Sequence, residues 1–394
     1  MCNTSSAVHP VYRRSLLGAA LVGTGVAVAS TAACALPTVV DRLTPLRPVL
    51  RVVSAQPTGT VLTLLGTAGG PQAEYVRTGT SSVLTVEGYN YVVDAGRASV
   101  TQYLNAGLKF SALAGMFITH LHADHLADYY NYFLLEGGQA NAEDDRLPPV
   151  PPSPPGPLTV YGPGSAGGLP PSSDPSVATI APENPTPGIK DLTDRLNEGY
   201  AYSYNVFMRG DGTTDVRTIE TEIHEIAIPT DVGANYLNRA PENMPPFKIY
   251  EDSRVQVSAI LVPHGNVFPA FAYRFDTAKG SVVFSGDTSY SENVIRLARG
   301  ADVLVHEVIN LDLIQRFGKN LSPALLSHLQ DSHTTTSQVA QVAQSAGVPK
   351  LVLTHLIPSN PLLVPDLVWK AMCSIGYDGT VYPGNDMEQI SLRD

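Results

Sequence analysis

The chain has 394 residues, of which 43% are hydrophobic and only 15% charged, and its formal net charge is −11. That length suits one large domain or two ordinary ones, with apolar residues enough for a sizeable core. The acidic balance argues against a nucleic-acid partner, which calls for basic patches.

The first segment reads as a targeting signal. Arg13 and Arg14 precede an uncharged run of small and apolar residues that ends near Ala35. A twin arginine ahead of such a run resembles a twin-arginine export leader over 1–35. Ala33-Cys34-Ala35 fits a small-x-small cleavage site, and lipidation of Cys34 ranks second because Thr31 stands where a lipobox carries Leu. The run is marginal in length and rich in Ala and Gly, so a cleaved signal is favoured over a membrane anchor and no stable span is expected afterwards. Cleavage removes two arginines and no acid, taking the net charge from −11 to −13. Of Cys2, Cys34 and Cys373 only the last would remain, so neither an internal disulfide nor a thiolate metal cage is expected. The expected location is periplasmic or secreted.

Residues 36–58 read as a tether, and the folded domain is expected over 59–394. Its first strand is 60–65, followed by the Gly-rich turn 66–71, which lacks the Gly-Lys-Ser/Thr ending of a phosphate loop. Strands at 82–86 and 91–93 come next, then a helix over 99–110 and a buried strand through Met116-Phe117-Ile118. Between about 134 and 250 Pro, Gly and Ser dominate, with a short strand at 158–161 and a helix over 190–208. This stretch reads as insertions around one scaffold strand, a lid or substrate wall. Strands follow at 255–262, 272–275, 281–284, 303–305 and 351–354. Helices are expected at 291–299 and 335–346, the latter capped by one of Thr334, Thr335 and Thr336. The N-terminal half is expected to be mostly antiparallel, and the C-terminal half to alternate strand and helix.

The most informative run is Thr119-His-Leu-His-Ala-Asp-His125. It sets His120, His122, Asp124 and His125 in a loop after a strand, where side chains can turn toward one point. Imidazole and carboxylate are ligands for zinc, manganese or iron, and affinity order alone does not choose among them. Asp94, His264, Asp287, His306 and His355 likewise follow apolar runs, and strand ends are where sites are built in α/β sheets.

The run 119–125 matches the His-x-His-x-Asp-His signature of the metallo-β-lactamase superfamily. Leu64-Leu65-Gly66-Thr67, Val93-Asp94-Ala95-Gly96, Pro263-His264-Gly265, Ser285-Gly286-Asp287-Thr288, His306-Glu307, His333-Thr334-Thr335 and Thr354-His355 resemble its ribonuclease Z and arylsulfatase-like branch, in the same order. The resemblance covers about 60–394 apart from 165–250. It implies a four-layer αββα sandwich, an α/β fold holding two divalent metal ions, zinc first, with manganese or iron as alternatives. It assigns His120, His122 and His264 to one ion, Asp124, His125 and His355 to the other, and Asp287 as the bridge. It implies a catalytic role for Asp124 toward water, for His306 as the acid that protonates the leaving oxygen, and for Glu307 as the group orienting His306. Asp94 is expected to hold a ligand His or loop amides. His333 is left between a supporting role and an ordinary loop residue. The tyrosines at 200–204 are left between core or lid packing and stacking on a leaving group.

One feature departs from the branch. Ribonuclease Z carries a basic arm between the strands matching 272–275 and 281–284, where this chain has only Phe275-Asp276-Thr277-Ala278-Lys279-Gly280. The expectation is an exported hydrolase of a small phosphodiester or aryl sulfate ester, without a nucleic-acid partner and with homodimerisation left open. A lactone or β-lactam hydrolase is the alternative, and a non-catalytic metal-binding protein a distant third.

Overall fold

The computed structural model describes residues 56–392 except 135–157, 173, 175, 207–208, 210–220 and 318–320. The leader and most of the tether lie outside the described residues.

Among the described residues, fourteen strands form two sheets. The first contains β1 (Val61–Gly66), β2 (Ser81–Val86), β3 (Tyr89–Val93), β4 (Leu113–Phe117), β5 (Thr159–Gly162), β6 (Glu222–Glu225) and, from the far end of the chain, β14 (Gln389–Ser391), in the order β14-β1-β2-β3-β4-β5-β6. The second contains β7 (Phe247–Glu251), β8 (Val255–Leu261), β9 (Phe271–Thr277), β10 (Gly280–Phe284), β11 (Val303–Ile309), β12 (Lys350–Ile357) and β13 (Thr380–Pro383), in sequence order across the sheet.

Period-two patterning explains the layering. Along β2, β3 and β4 alternate residues feed two different cores. Leu84, Val86, Tyr91, Val93 and Phe117 join the core shared with the second sheet. Val83, Val92 and Met116 join a separate core beneath the helices Ser99–Asn105 and Ile189–Gly199. A strand apolar on both faces must be covered on both. The second sheet is covered on its outer side by helices Glu292–Ala298, Thr336–Ala346 and Asp366–Cys373, which bury Val294, Leu297, Val339, Val342 and Trp369. The result is the expected order of helices, sheet, sheet, helices.

Three expectations are corrected. Each sheet is half antiparallel and half parallel: β3-β4-β5-β6 run parallel in the first, and β7-β8-β9-β10 antiparallel in the second. The stretch 134–250 supplies three sheet strands, β5, β6 and β7, rather than one, and its helix divides into Ile189–Gly199 and Ala201–Val206. Strands β11 and β12 run past Val305 and Thr354, so His306, Glu307 and His355 lie inside strands and not beyond them. Parallel pairing explains the extension, because β11 stays paired with β12 from Val303 to Ile309, across a one-residue shift after Glu307.

Candidate metal centre

The ligand loop leaves β4 at Phe117 and is fastened to both sheets. The Tyr273 hydroxyl donates to the Ile118 carbonyl at 2.6 Å, and the Phe271 amide donates to the Thr119 carbonyl at 3.0 Å. These bonds fix where His120 begins. Asp287 arrives from the end of β10 through Gly286, whose φ is +59°. A Cβ on Gly286 would lie 2.7 Å from the Phe271 carbonyl oxygen and 3.0 Å from Thr119 Cβ, so only glycine passes this crossing.

His355 reaches the centre through a bulge. Glu307 pairs with Thr354 and Val308 with Leu356, so His355 is the extra residue, and its φ is +44°. A bulge re-aims one side chain without ending the strand. Asp94, at the end of β3, also sits at positive φ, 58°. Non-glycine residues in this region are held there by their surroundings, a mark of functional sites.

All seven sequence-predicted ligands converge. His120, His122 and His264 form one group with facing atoms within 4.8 Å of one another, and Asp124, His125, Asp287 and His355 form a second. His264 Nε2 lies 3.2 Å from His122 Nδ1 in the first group. In the second, His355 Nε2 is 3.3 Å from Asp124 Oδ2 and 3.2 Å from Asp287 Oδ2. Asp287 Oδ2 is also 3.3 Å from His125 Nε2 and 4.0 Å from both His120 Nε2 and His264 Nε2, so one oxygen faces both groups. Ligands about 2.1 Å from a tetrahedral ion sit roughly 3.4 Å apart, and these spacings match.

The imidazoles are oriented from behind. His125 Nδ1 meets Asp94 Oδ2 at 2.8 Å, His264 Nδ1 meets the Ser332 carbonyl at 2.8 Å, and His120 Nδ1 meets Thr119 Oγ1 at 3.1 Å. Each contact leaves Nε2 facing inward. Asp94 therefore does what the sequence suggested, holding a ligand imidazole and, through Oδ1, the Thr119 amide at 2.8 Å. Burial lowers the pKa of His120, His122 and His264, the last to about 3, so these rings are neutral, as ligands must be. Burial opposes charge on His125 too, but Asp287 and Asp94 outweigh it and raise its pKa. Burial also opposes charge on Asp124, yet the hydrogen bond from His355 and the charges of His125 and His355 bring its pKa down to about 2, so it is a carboxylate at neutral pH.

His120 Nε2, His125 Nε2 and Asp287 Oδ1 are buried without a hydrogen-bond partner. Buried polar atoms are rarely left so. Three at the meeting point of two ligand groups fit a pair of cations.

Glu307 and His306 differ from expectation. Neighbours on a strand leave on opposite faces. Glu307 lines a cavity of about 20 Å³ shared with Asp94, His125, Asp287 and His355, whereas His306 is absent from that lining. The Glu307 carboxylate accepts from the Thr334 amide at 2.6 Å and meets His333 Nδ1 at 3.2 Å. It does not orient His306, whose Nδ1 instead meets the Glu307 backbone carbonyl at 2.7 Å. His306 Nε2 is buried and unpartnered. His333 is the residue the sequence reading undervalued. It groups with His264 and Asp287, and its ring centroid is 5.5 Å from that of His355. Burial works against its charge, but Glu307 more than compensates and raises its pKa. The signal available in the sequence was the His-Thr-Thr run just before a helix N-terminus. Thr335 caps that helix with Gln338 in a capping box, which pins His333.

His224 and His328 join neither ligand group. Tyr204 is buried, with its hydroxyl 3.1 Å from that of Tyr130, and Tyr200 stacks on Tyr130 at 4.9 Å. This is packing on Tyr130, in the turn before helix Asn131–Leu134, and none of these tyrosines belongs to a ligand group.

Residues 214–356 match a family model described as the beta-lactamase superfamily domain. A ribonuclease Z of Mycolicibacterium gilvum (strain PYR-GCK) is 26% identical over 335 residues, covering 84% of this chain and 96% of that protein. A ribonuclease Z of Mycobacterium bovis (strain BCG / Pasteur 1173P2) is 25% identical over 336 residues, covering 84% and 98%. Among solved structures, the short form of human tRNase Z superposes with a TM-score of 0.53 at 19% identity, over 85% of this chain and 100% of that one. Zinc-bound PqqB from Methylobacterium extorquens gives 0.52 at 13% identity, over 84% and 99%.

Proposed function

Because the chain belongs to the metallo-β-lactamase superfamily and has its hydrolase fold, we propose that it is a two-metal hydrolase of a small phosphodiester or aryl sulfate ester. His120, His122 and His264 would hold one cation, Asp124, His125 and His355 the other, and Asp287 both. Zinc fits these ligands, with manganese and iron as alternatives. Bound divalent cations supply a Lewis acid and a nucleophile usable at neutral pH.

The observation that carries the reading is the Glu307–His333 pair beside this cluster. An ester with a poor leaving group needs a proton delivered to the departing oxygen. With Glu307 accepting from His333 Nδ1 at 3.2 Å, the imidazolium keeps a second proton on Nε2 to donate. Glu307 is itself held by the Thr334 amide, so the ring is positioned and charged by one residue. We therefore assign the acid to His333, with Glu307 as its positioning residue, in place of His306. Asp124 and His122 are the part-exposed members of the two ligand groups and mark the side from which substrate enters. As a carboxylate, Asp124 can orient the attacking water and accept its proton.

RNA phosphodiester cleavage is a second reading, favoured by the ribonuclease Z relatives. A small substrate is supported by the net charge of −11 and by the β9–β10 hairpin, which turns through Ala278 and Lys279 alone. We further infer twin-arginine export, from Arg13, Arg14 and the apolar run after them.

The test is a panel on metal-loaded protein, with elemental analysis of the preparation: bis(4-nitrophenyl) phosphate, 4-nitrophenyl sulfate, a lactone, nitrocefin and a precursor tRNA. Turnover of a phosphodiester or sulfate ester with two metals bound supports the proposal. Turnover of the lactone or nitrocefin alone, or of the tRNA alone, overturns it.

A further inference from the structure

Beside the ligand loop lies a cavity of about 190 Å³ whose composition differs from that of the metal centre. Its walls include Leu121, Leu169, Pro187, Tyr236, Val267 and Phe268, and among the described residues no Lys, Arg, Asp or Glu lines it. Two of its walls adjoin the ligands. Leu121 stands between His120 and His122, and the Val267 amide donates to the His264 carbonyl at 2.9 Å. Asn266, Phe268 and Pro269 flank Val267, and the remaining walls come from 163–187 and Tyr236, in the stretch the sequence marked as a substrate wall. The Tyr236 ring lies against Gly168, where a Cβ would come within 2.6 Å of the ring.

We propose that this cavity is a subsite for one uncharged aromatic ring of the substrate. Size supports a single ring, since a closed apolar cavity of about 150 Å³ is enough to take up benzene. Chemistry favours an aryl group over a nucleobase. Thr186, Asn266 and the Tyr236 hydroxyl offer a phenol-like ring a few partners, but the other walls are Leu, Val, Phe, Ala, Gly and Pro, which leaves too few polar groups for the several hydrogen bonds a buried base edge needs. The absence of cationic side chains also directs any phosphate or sulfate away from the cavity, toward the cluster. The proposal rests on the hydrolase reading for its meaning but not for its test.

The probe is phenol, titrated into the zinc-loaded full-length protein and followed by ligand-observed NMR, then used as an inhibitor of bis(4-nitrophenyl) phosphate hydrolysis. Ala166→Trp fills the cavity and Tyr236→Ala removes a wall, with melting temperature and zinc content as fold controls. Saturable phenol binding is expected, weakened at least tenfold in each folded variant. The KM for the diester should rise tenfold with a smaller change in kcat, and phenol should inhibit the unaltered protein competitively. Phenol that fails to bind the unaltered protein, or that binds both variants as tightly, overturns the subsite. If phenol binds as described but no ester is turned over, the subsite stands and the hydrolase reading falls. If esters are turned over while phenol neither binds nor inhibits, the reverse holds.

Discussion

Replacing Asp94 by Asn tests how the centre is built. The Asp94 carboxylate accepts the Thr119 amide on Oδ1 at 2.8 Å and faces His125 Nδ1 with Oδ2 at 2.8 Å. The Thr119 hydroxyl also donates to Oδ2 at 2.8 Å, so the two oxygens meet donors only, and His125 keeps its Nδ1 proton and turns Nε2 inward. An amide has only one oxygen. If that oxygen stays on the Thr119 amide, the new NH2 faces His125 Nδ1 and drives the ring proton to Nε2, the atom 3.3 Å from Asp287 Oδ2. If the amide flips, its NH2 opposes the Thr119 N–H and a buried donor goes unpaired, costing about 1–3 kcal/mol. Loss of such a supporting contact typically weakens metal binding by about 10–100-fold. At about 1.36 kcal/mol per decade this is roughly 1.4–2.7 kcal/mol, similar to the cost of the other branch. Competition with a chromophoric chelator at neutral pH should show one of two zinc-binding steps weakened by that factor. The step assigned to His120, His122 and His264 should change less. Two binding steps both within threefold of the unaltered protein would refute the tautomer argument.

Other changes probe the remaining assignments. His333→Ala should lower kcat on bis(4-nitrophenyl) phosphate by about 10²–10⁴-fold while two metals stay bound. His306→Ala should lower it at least tenfold less, and steady-state kinetics with parallel elemental analysis separates the two. Gly286→Ala should destabilise the protein by about 1–3 kcal/mol, through a positive φ and a Cβ forced toward the Phe271 carbonyl, and should reduce metal content by displacing Asp287. Phe117→Ala removes a ring stacked on Tyr161 at 5.4 Å and edge-on to Phe275 at 5.0 Å, so a urea melt should show a loss of about 3–5 kcal/mol.

Much of the scaffold was legible because local patterns and tertiary demands agree. Leu84, Val86, Tyr91 and Val93 alternate with residues buried on the other face, and Ser291 caps its helix by accepting from the Val294 amide. Strand direction was not legible. Parallel and antiparallel strands share the same period, and only the route of the chain between them decides. The Glu222–Glu225 strand was hidden for another reason: it is an edge strand, exposed or half-buried along its length, and pairing beside β5 rather than an apolar sequence holds it.

The sequence by itself singled out the candidate ligands, because the 119–125 run and the resemblance it carries point to His120, His122, Asp124, His125, His264, Asp287 and His355, and the fold brings these seven together. Which acid serves which imidazole was decided only by the tertiary structure. Strand alternation turns Glu307 toward His333 and away from the His306 ring, a bulge aims His355, and a capped helix delivers His333 from 26 residues further along the chain. Hydrogen bonds form between atoms close in space, and the His-Thr-Thr run marks His333 as pinned before a helix without recording that the folded sheet places it, and not His306, beside Glu307.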